Sequence, residues 1–243
     1  MYQRNRIYIS KREQRSIKKV RILIAGAGLG SNIAECALRL GFENITICDM
    51  DKVELSNLNR QNYTLADIYE SKTKSIKCRL QKINPNANIN CYNVYLTKEN
   101  CDQFIKSSDI AINTIDFNSD APLVFDEICL KYNVPILHPF NLGWTACTFV
   151  VTNKENTLKN IVPHYKHAEV QIVEHIFNNA PDNMNLSWLQ EALEMYKEEK
   201  GKSSPPQLSP ASWFIGGLCT NIIYKIATNK SLKTFPDFYL INS

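Results

Sequence analysis

The chain lacks any apolar run long enough to cross a membrane. A transmembrane helix needs about 20 mostly apolar residues, and no such run occurs in the 243 residues. The first residues also lack the apolar core of a secretory signal peptide. Hydrophobic residues at 44% and charged residues at 21% are ordinary for a globular protein, which argues against disorder. We therefore expect a cytoplasmic globular protein with no membrane partner.

The chain also lacks C-x-x-C pairs, although it contains eight cysteines. Such pairs commonly hold structural zinc, so no zinc is expected. The cysteines are Cys36, Cys48, Cys78, Cys91, Cys101, Cys129, Cys147 and Cys219. Several of them fall in segments with the pattern of helices or strands. Buried free thiols are therefore the better interpretation.

Acidic residues are scarce in the first 21 positions, where much of the formal charge of +4 arises. Glu13 is the one acidic residue there. The basic residues of this segment are Arg4, Arg6, Lys11, Arg12, Arg15, Lys18, Lys19 and Arg21. Residues 1–20 thus form a basic N-terminal arm. It is either a solvated helix or an arm that meets a phosphate-bearing ligand or nucleic acid.

Apolar strand patterns alternate with helical patterns along most of the chain. Strands are predicted over residues 21–26, 44–48, 88–96, 109–115, 134–137 and 145–152. Helices are predicted over residues 31–40, 71–83, 98–107, 121–132, 170–177, 186–197 and 212–227. This alternation predicts an α/β fold with a doubly wound, mostly parallel Rossmann-like sheet. The alternation breaks after residue 152, so we predict one domain over 1–243 with a helical insertion over 153–209.

A glycine-rich loop follows the first predicted strand. Its sequence, Gly26-Ala27-Gly28-Leu29-Gly30-Ser31, departs from G-x-G-x-x-G because the third glycine comes one position early. Glycines let backbone N–H groups approach a phosphate, and the next helix offers its positive N-terminal end. A plain tight turn is the alternative. Asp49, 23 positions after Gly26 (49 − 26), ends the second strand where a carboxylate can bind ribose hydroxyls.

The run from Asp49 to Gln61 is richer in polar groups than a dinucleotide site requires. Arg60 suits a phosphate fork, and Lys72 can act as a point charge on phosphate oxygens. Asp116 follows the fourth predicted strand and offers an oxygen ligand for magnesium. The ordinary alternatives are a surface ion pair for Arg60, a solvated helix face for Lys72 and a helix cap for Asp116. Their shared position at the carboxyl ends of parallel strands favours a site for ATP.

These residues together resemble the ThiF/MoeB/HesA family, the bacterial relatives of ubiquitin-activating enzymes. The matching motifs are Gly26-x-Gly28-x-x-Ser31, Asp49-x-Asp51, Ser56-Asn57-x-Asn59-Arg60-Gln61, Lys72 before Ile83-Asn84-Pro85, and Asp116. The resemblance covers residues 4–152 well and 209–228 more loosely. It implies an adenylyltransferase that uses ATP and Mg²⁺. In this reaction the C-terminal carboxylate of a peptide or a small ubiquitin-like or sulfur-carrier protein attacks the α-phosphate, and pyrophosphate leaves.

The resemblance also implies a role for each matching residue. The nucleotide-binding set is Gly26, Gly28, Gly30, Ser31, Asp49, Asp51, Asn57, Arg60 and Lys72, and the catalytic set is Arg60, Lys72, Asp116 and Arg6. Asp49 would hold the ribose, and Asn57 and Arg60 the triphosphate. Lys72 would contact the phosphates during attack, and Asp116 would hold the metal.

Two further assignments come from the same resemblance. Arg6 would be donated across a homodimer interface, with Arg4 as the alternative. Lys74 competes with Lys72, but the spacing to Ile83-Asn84-Pro85 favours Lys72.

The sequence departs from the family pattern in three places. It lacks the two zinc-binding C-x-x-C pairs, and no cysteine occurs in the crossover segment between Cys147 and Cys219. We therefore expect direct transfer of the acyl adenylate to an external nucleophile, with Cys147 and Cys219 packed in the core. The third departure is His138, which occupies a place where members often have small residues. It either approaches the acyl site or is a hydrogen-bonded structural histidine.

Other functions remain open at this stage. The tRNA-modifying dehydratases of the same family have motifs similar to the run from Asp49 to Gln61. This sequence, however, shows no RNA-binding module. A nucleotide-binding scaffold without turnover is a second alternative. A dehydrogenase is less well supported, because no separate substrate domain is visible. The insertion over 153–209 either recognises the substrate or serves as a dimerisation or packing element.

Overall fold

The computed structural model describes residues 1–181, 184–199 and 203–241. Its strands are β1 (Arg21–Ala25), β2 (Asn44–Cys48), β3 (Asn88–Tyr92), β4 (Ile110–Asn113), β5 (Ile136–Leu142), β6 (Thr145–Val151) and β7 (Phe238–Ile241). They form one sheet in the order β3-β2-β1-β4-β5-β6-β7. The first five strands of this order are parallel, whereas β6 and β7 are antiparallel to their neighbours. The predicted doubly wound, mostly parallel sheet is confirmed.

Helices cover both faces of the sheet. They are α1 (Lys11–Lys19), α2 (Leu29–Leu40), α3 (Lys72–Ile83), α4 (Cys101–Ile105), α5 (Ala121–Lys131), α6 (Ala168–Asn179), α7 (Ser187–Glu198) and α8 (Ser209–Ala227). Strand β1 shows why: Ile22 and Ile24 join the core beneath α1, α2, α3 and α8, whereas Leu23 and Ala25 join the core beneath α4 to α7. Successive side chains of a strand point to opposite faces. No helix within the described ranges is long and apolar enough to span a bilayer.

The strand order reverses between β1 and β4. After β1 the chain forms β2 and then β3 on one side of β1, and it returns from β3 to form β4 on the other side. In open α/β sheets this reversal leaves a crevice at the carboxyl ends of the central strands. The glycine loop after β1 and the polar segment after β4 therefore meet at one place.

Several predicted boundaries were wrong. Strand β3 ends at Tyr92 rather than 96, β4 ends at Asn113 rather than 115, and α4 is shorter than the predicted helix over 98–107. Strand β5 continues to Leu142 instead of ending at 137, because it forms a tight hairpin with β6 in which Leu142 pairs with Thr145. Pro139 is tolerated in β5 because pairing with β4 ends at Leu137, so the missing N–H faces no neighbouring strand there.

Helix α8 packs closely on α2 through one of its two adjacent glycines. A Cβ added at Gly216 would lie 3.2 Å from the backbone oxygen of Asn32, whereas one added at Gly217 would meet nothing within 4 Å. The close approach of the two helices therefore depends on Gly216 and not on Gly217.

A buried carboxylate ties α2 to α3 and to the loop after β2. Glu35 is 5% exposed and accepts hydrogen bonds from Arg39, Arg79 and Asn62. Burial raises the pKa of Glu35, but these hydrogen bonds outweigh burial and the net pKa is lowered. The group is therefore ionised near neutral pH and anchors three segments at once.

We expect Glu35→Gln to lower the free energy of unfolding by about 2–3 kcal/mol, because hydrogen bonds between charged groups are among the strongest in proteins. Urea unfolding followed by circular dichroism measures this. The matched control is Glu70→Gln, which breaks an exposed pair with Lys74 on α3. Its expected cost is below about 1 kcal/mol. Equal losses in the two variants would contradict the anchoring role of Glu35.

Candidate functional site

A cavity of about 830 Å³ lies at the carboxyl ends of β1, β4 and β5. Its floor is the start of α2, its walls come from the segments after β2 and β4, and its far side is formed by α6, α7 and residues 203–208. It thus lies between the sheet and the described residues of the segment 153–209. This is the crevice that the reversed strand order creates.

The glycine loop forms the floor of the cavity, and its three glycines have different roles. Gly28 lines the cavity and caps the N-terminus of α2. Gly26 adopts φ +99°, and a Cβ there would lie 2.6 Å from the backbone oxygen of Thr114. Gly30 faces Ile24, where a Cβ would also fall within 2.6 Å of a side-chain atom. Gly26 and Gly30 therefore allow close packing behind the floor, while Gly28 alone presents its backbone to the cavity.

Ser31 also lies behind the floor. Its hydroxyl donates to the carbonyl of Gly28 at 2.6 Å and accepts from the N–H of Asn62 at 3.0 Å. The side chain is fully buried. In this arrangement the Ser31 side chain stabilises the loop, and the nearby Gly28 and Leu29 line the floor of the cavity.

Asp49 lines the cavity at the end of β2 and organises the loops around it. One carboxylate oxygen accepts from the N–H of Ala27 at 2.6 Å, and the other from the N–H of Asp51 at 2.6 Å. Burial raises the pKa of Asp49, while these N–H groups and the charge of Lys72 lower it, with a net upward shift. Its position suits the ribose-binding role predicted from the sequence.

Lys72 points into the cavity from the first turn of α3. Its ammonium lies 2.9 Å from Asp51, and its side chain is 9% exposed, whereas that of Asp51 is 61% exposed. Lys74 pairs instead with the exposed Glu70 and does not line the cavity. Of the two competing lysines, the structure brings Lys72 to the cavity.

Asp116 lies in the loop beyond β4, on the cavity wall. Burial in the cleft raises the pKa of its carboxyl group; Asp51 raises it further, and Lys72 and Arg60 lower it. The net shift is upward. The side chain still opens to the cavity. A carboxylate in such a place becomes more acidic when a cation binds next to it.

Arg60 faces Asp116 across the cavity. Its guanidinium donates to Gln207, to the carbonyl of Ser56 and to Asn59, at 2.6, 2.9 and 2.8 Å. Burial lowers the pKa of Arg60, whereas the charge of Asp116 raises it, and the net shift is downward. The ordinary pKa of arginine is so high that the guanidinium stays charged. The contact with Gln207 joins the predicted phosphate site to the end of the segment 153–209, which sequence reasoning did not anticipate.

Besides Gly26, Gly30 and Ser31, which lie behind the floor, two more predicted site residues do not reach the cavity within one chain. Asn57 is buried, and its side chain accepts a hydrogen bond from the N–H of Glu54, capping a short 3₁₀ turn. Arg6 is exposed, and the neighbouring Asn5 bonds to the carbonyl of Leu40 at the opposite end of α2. Arg6 therefore lies near the end of α2 that is opposite the cavity.

The part of the cavity away from these charged groups is lined by aromatic side chains. Most of these residues were not predicted from the sequence to belong to the site. Its lining includes Phe140 and Trp144 beside the β5–β6 turn, and Trp188 and Tyr196 on α7. Glu169 on α6 also lines the cavity; burial raises its pKa, and the charge of Asp116 raises it further. The amphipathic pattern of α6 and α7 predicted helices, but it could not tell a core face from a cavity face.

The cysteines near the insertion are not placed as nucleophiles. Cys147 and Cys219 are both 0% exposed. Burial raises the pKa of Cys219 to about 12 and that of Cys147 well above its ordinary value. A thiol reacts as the thiolate, so both are inert packing residues, as predicted.

The fold is a doubly wound α/β sheet with a reversed strand order. A glycine loop forms the floor of the cavity at this reversal, and Arg60, Lys72 and Asp116 line its walls, as in a nucleotide-type site. The ThiF family model matches residues 2–243, and the chain belongs to the ThiF family. The resemblance drawn from the sequence motifs is confirmed.

Curated relatives match over part of the chain. The sulfur carrier protein ThiS adenylyltransferase of Bacillus subtilis is 32% identical over 142 residues, which cover 57% of this chain and 42% of that protein. The molybdopterin-synthase adenylyltransferase of Haemophilus influenzae is 32% identical over 146 residues, 59% and 60% of the two chains. The chain therefore spans about half the length of these relatives.

Two solved structures share the fold. E. coli MccB with ATP superposes with a TM-score of 0.66 at 18% identity, covering 90% of this chain and 59% of that chain. E. coli tRNA N6-threonylcarbamoyladenosine dehydratase (TcdA) with ATP gives 0.66 at 18% identity, covering 93% and 92%. At this identity the likeness concerns the fold alone.

Proposed function

We propose that the protein is an ATP-dependent adenylyltransferase that activates the C-terminal carboxylate of a peptide or small carrier protein. The observation that carries this proposal is the set of Lys72, Arg60 and Asp116 around one cavity whose floor is Gly28. The cavity continues from this charged end into an apolar end, so the reacting carboxylate and the nucleotide share one enclosure. The two curated relatives described above are adenylyltransferases, which supports the same reaction class.

The residues around the cavity fit ATP. Backbone N–H groups at the start of a helix favour phosphate, and Lys72 and Arg60 supply positive charge. Gln61 adds an amide whose oxygen is buried without a hydrogen-bond partner among the described residues. Asp49 would hold the ribose, and Asp51 would keep Lys72 oriented until phosphate replaces it. Asn57 would contribute through the loop that it caps.

The residues also fit magnesium bound together with phosphate. Within the described ranges no group of three or more His, Cys, Asp or Glu side chains could hold a metal alone. Asp116 would therefore be a single protein ligand, with oxygen atoms of ATP and water as the others. Magnesium so held would neutralise part of the triphosphate charge.

The proposed chemistry needs little covalent participation from the protein. A carboxylate oxygen forms a bond to the α-phosphorus, the bond to the β-phosphate oxygen breaks, and pyrophosphate leaves with the electron pair. Lys72 and Arg60 stabilise the negative charge that moves onto the leaving group. No proton moves in this step, so no base is required.

We propose a homodimer in which Arg6 reaches the partner's site. The support is its position: Arg6 is exposed and lies away from the cavity of its own chain. An arginine supplied by a second chain would add positive charge near the phosphates without crossing the sheet.

The proposed function is tested with ATP and a panel of peptides that carry each of the 20 amino acids at the C-terminus. We expect ATP–pyrophosphate exchange with at least one free-acid peptide. The same peptide with an amidated C-terminus is the control, and we expect it to give no exchange because it lacks the attacking oxygen. Exchange that is equal for both forms would contradict carboxylate activation.

The same assay separates the alternatives. AMP formation that depends on added tRNA and not on any peptide would favour the dehydratase function instead. Tight ATP binding with no turnover in any mixture, including small carrier proteins, would favour a scaffold. Both outcomes would reject the proposed peptide or carrier substrate.

A further inference from the structure

A histidine and an aspartate form a buried pair in the cavity wall, outside the phosphate site. His138 on β5 lines the cavity although its exposure is only 2%. Asp126 on α5 is 4% exposed. The Nε2 atom of His138 lies 3.0 Å from Oδ2 of Asp126. The approach of the two atoms lies outside hydrogen-bond geometry, and neither atom makes a hydrogen bond in the part of the chain that the structure describes.

Asp126 is itself held in place. The side-chain amide of Asn113, the last residue of β4, donates to Oδ1 of Asp126 at 2.9 Å and to the carbonyl of Pro122 at 2.9 Å. The oxygen of the same amide accepts from the N–H of Ile115. Asn113, Asp126 and His138 therefore form a chain of polar groups that ends at the cavity.

This arrangement selects one tautomer of the imidazole. A carboxylate only accepts hydrogen bonds, so Asp126 favours the form with a proton on Nε2. Nδ1 then carries a free lone pair. It makes no hydrogen bond to any residue within the described ranges, and unlike Nε2 it is not an enclosed atom, so it is open to the cavity that His138 lines.

The position of His138 in the cavity is set by the sheet. The parallel register pairs Ile112 with Leu137, which places His138 beside Asn113. Asn113 in turn precedes Asp116 by three residues in the sequence (116 − 113). Further along the same hairpin, Phe140 and Trp144 line the apolar end. His138 therefore lies at the border between the charged end and the apolar end, where the acyl carbon of an adenylate would be.

We propose that Nδ1 of His138 is the general base for the acceptor that takes the acyl group, with Asp126 as its positioning residue. The proposal rests on the proposed adenylation. The acceptor is a nucleophile with a proton on its attacking atom, such as an amine. Its nitrogen forms a bond to the acyl carbon, and the bond from that carbon to the phosphate oxygen breaks. AMP leaves with the electron pair, while Nδ1 takes the amine proton.

The first test needs no substrate. Nitrogen-15 NMR of the imidazole rings distinguishes the two tautomers, and His138→Gln assigns the signal among the four histidines. We expect His138 to carry its proton on Nε2 and to have an unprotonated Nδ1. Asp126→Asn, whose amide can donate, is expected to weaken this preference. A proton on Nδ1 in the unaltered protein would overturn the proposal, even if adenylation is confirmed.

The second test separates acyl transfer from adenylation. With the peptide that gives the strongest exchange, we expect His138→Gln to leave ATP–pyrophosphate exchange within about threefold of the unaltered protein. Transfer to glycinamide, which is protonated at neutral pH, should fall by about 100-fold or more. Transfer to hydroxylamine, which is already unprotonated, should persist. Imidazole added to His138→Ala should restore transfer to glycinamide.

The outcomes distinguish the two proposals. Absence of exchange in the unaltered protein counts against the proposed function, while the NMR result still decides the state of His138. Loss of exchange in His138→Gln, or equal loss of transfer to both acceptors without imidazole rescue, would overturn the role of His138 as a base and leave the adenylation proposal standing.

Discussion

Replacing Lys72 with methionine is expected to reduce ATP–pyrophosphate exchange by about 1,000-fold, because a preorganised positive charge in an enclosed site stabilises the leaving group strongly. The ammonium of Lys72 is almost buried and faces the cavity that also contains Arg60 and Asp116. Methionine keeps the length and apolar stem of the side chain, so packing is preserved. Asp51 loses its partner but is well exposed to water.

Lys74→Met is the matched control, since it removes the same charge two residues away on the same helix. Lys74 pairs with Glu70 on the surface and does not line the cavity. We expect its exchange rate to stay within about threefold of the unaltered protein. Urea unfolding of both variants verifies that they are folded. Similar losses of exchange in both variants, or no loss in Lys72→Met, would reject the assignment of Lys72.

Gly26→Ala is expected to lower the free energy of unfolding by about 3–5 kcal/mol, which is an unusually large effect for one methyl group. Two costs add at this position. The φ of +99° is strained for any residue with a Cβ, and that Cβ would lie 2.6 Å from the backbone oxygen of Thr114. Thr114 cannot move away easily, because its N–H and its hydroxyl both donate to the carbonyl of Ala25.

Gly217→Ala gives the opposite expectation with the same substitution. Gly217 lies inside α8, and a Cβ there meets nothing within 4 Å. Alanine should stabilise the helix by about 0.5–1 kcal/mol, because it reduces the backbone entropy lost on folding. Denaturant midpoints for both variants measure the two effects. A loss below about 1 kcal/mol in Gly26→Ala would show that the loop relaxes and that its conformation is not strictly required.

Local patterns were sufficient to predict the centre of the fold. Residues 22–24, 45–47 and 110–112 are apolar runs that can only be buried on both faces, which is typical of central parallel strands. Gly41 ended α2 because its φ of +123° suits a residue without a Cβ. The edge of the sheet was not predictable in this way. Strand β7 was missed because its four residues become a strand only by pairing with β6, far back in the chain.

The same division applies to the site. Asp49, Lys72 and Asp116 could be predicted to meet, because the carboxyl ends of parallel strands share one edge of the sheet. Helix geometry then separates Lys72 from Lys74, since two residues turn the side chain by about 200° around the axis. Asn57 was assigned to the triphosphate from its motif, and its side chain caps a turn in this structure. The sequence motif gave no indication of that capping contact.

The sequence by itself therefore determined the fold class, the family and the charged end of the cavity, because these depend on local periodicity and on motifs of fixed spacing. Only the tertiary structure decided the rest of the cavity: the contact of Arg60 with Gln207, the apolar wall from α6 and α7, and the pairing of His138 with Asp126. These contacts join residues from separate elements, and their geometry depends on how those elements pack. No pattern within a single segment contains that information.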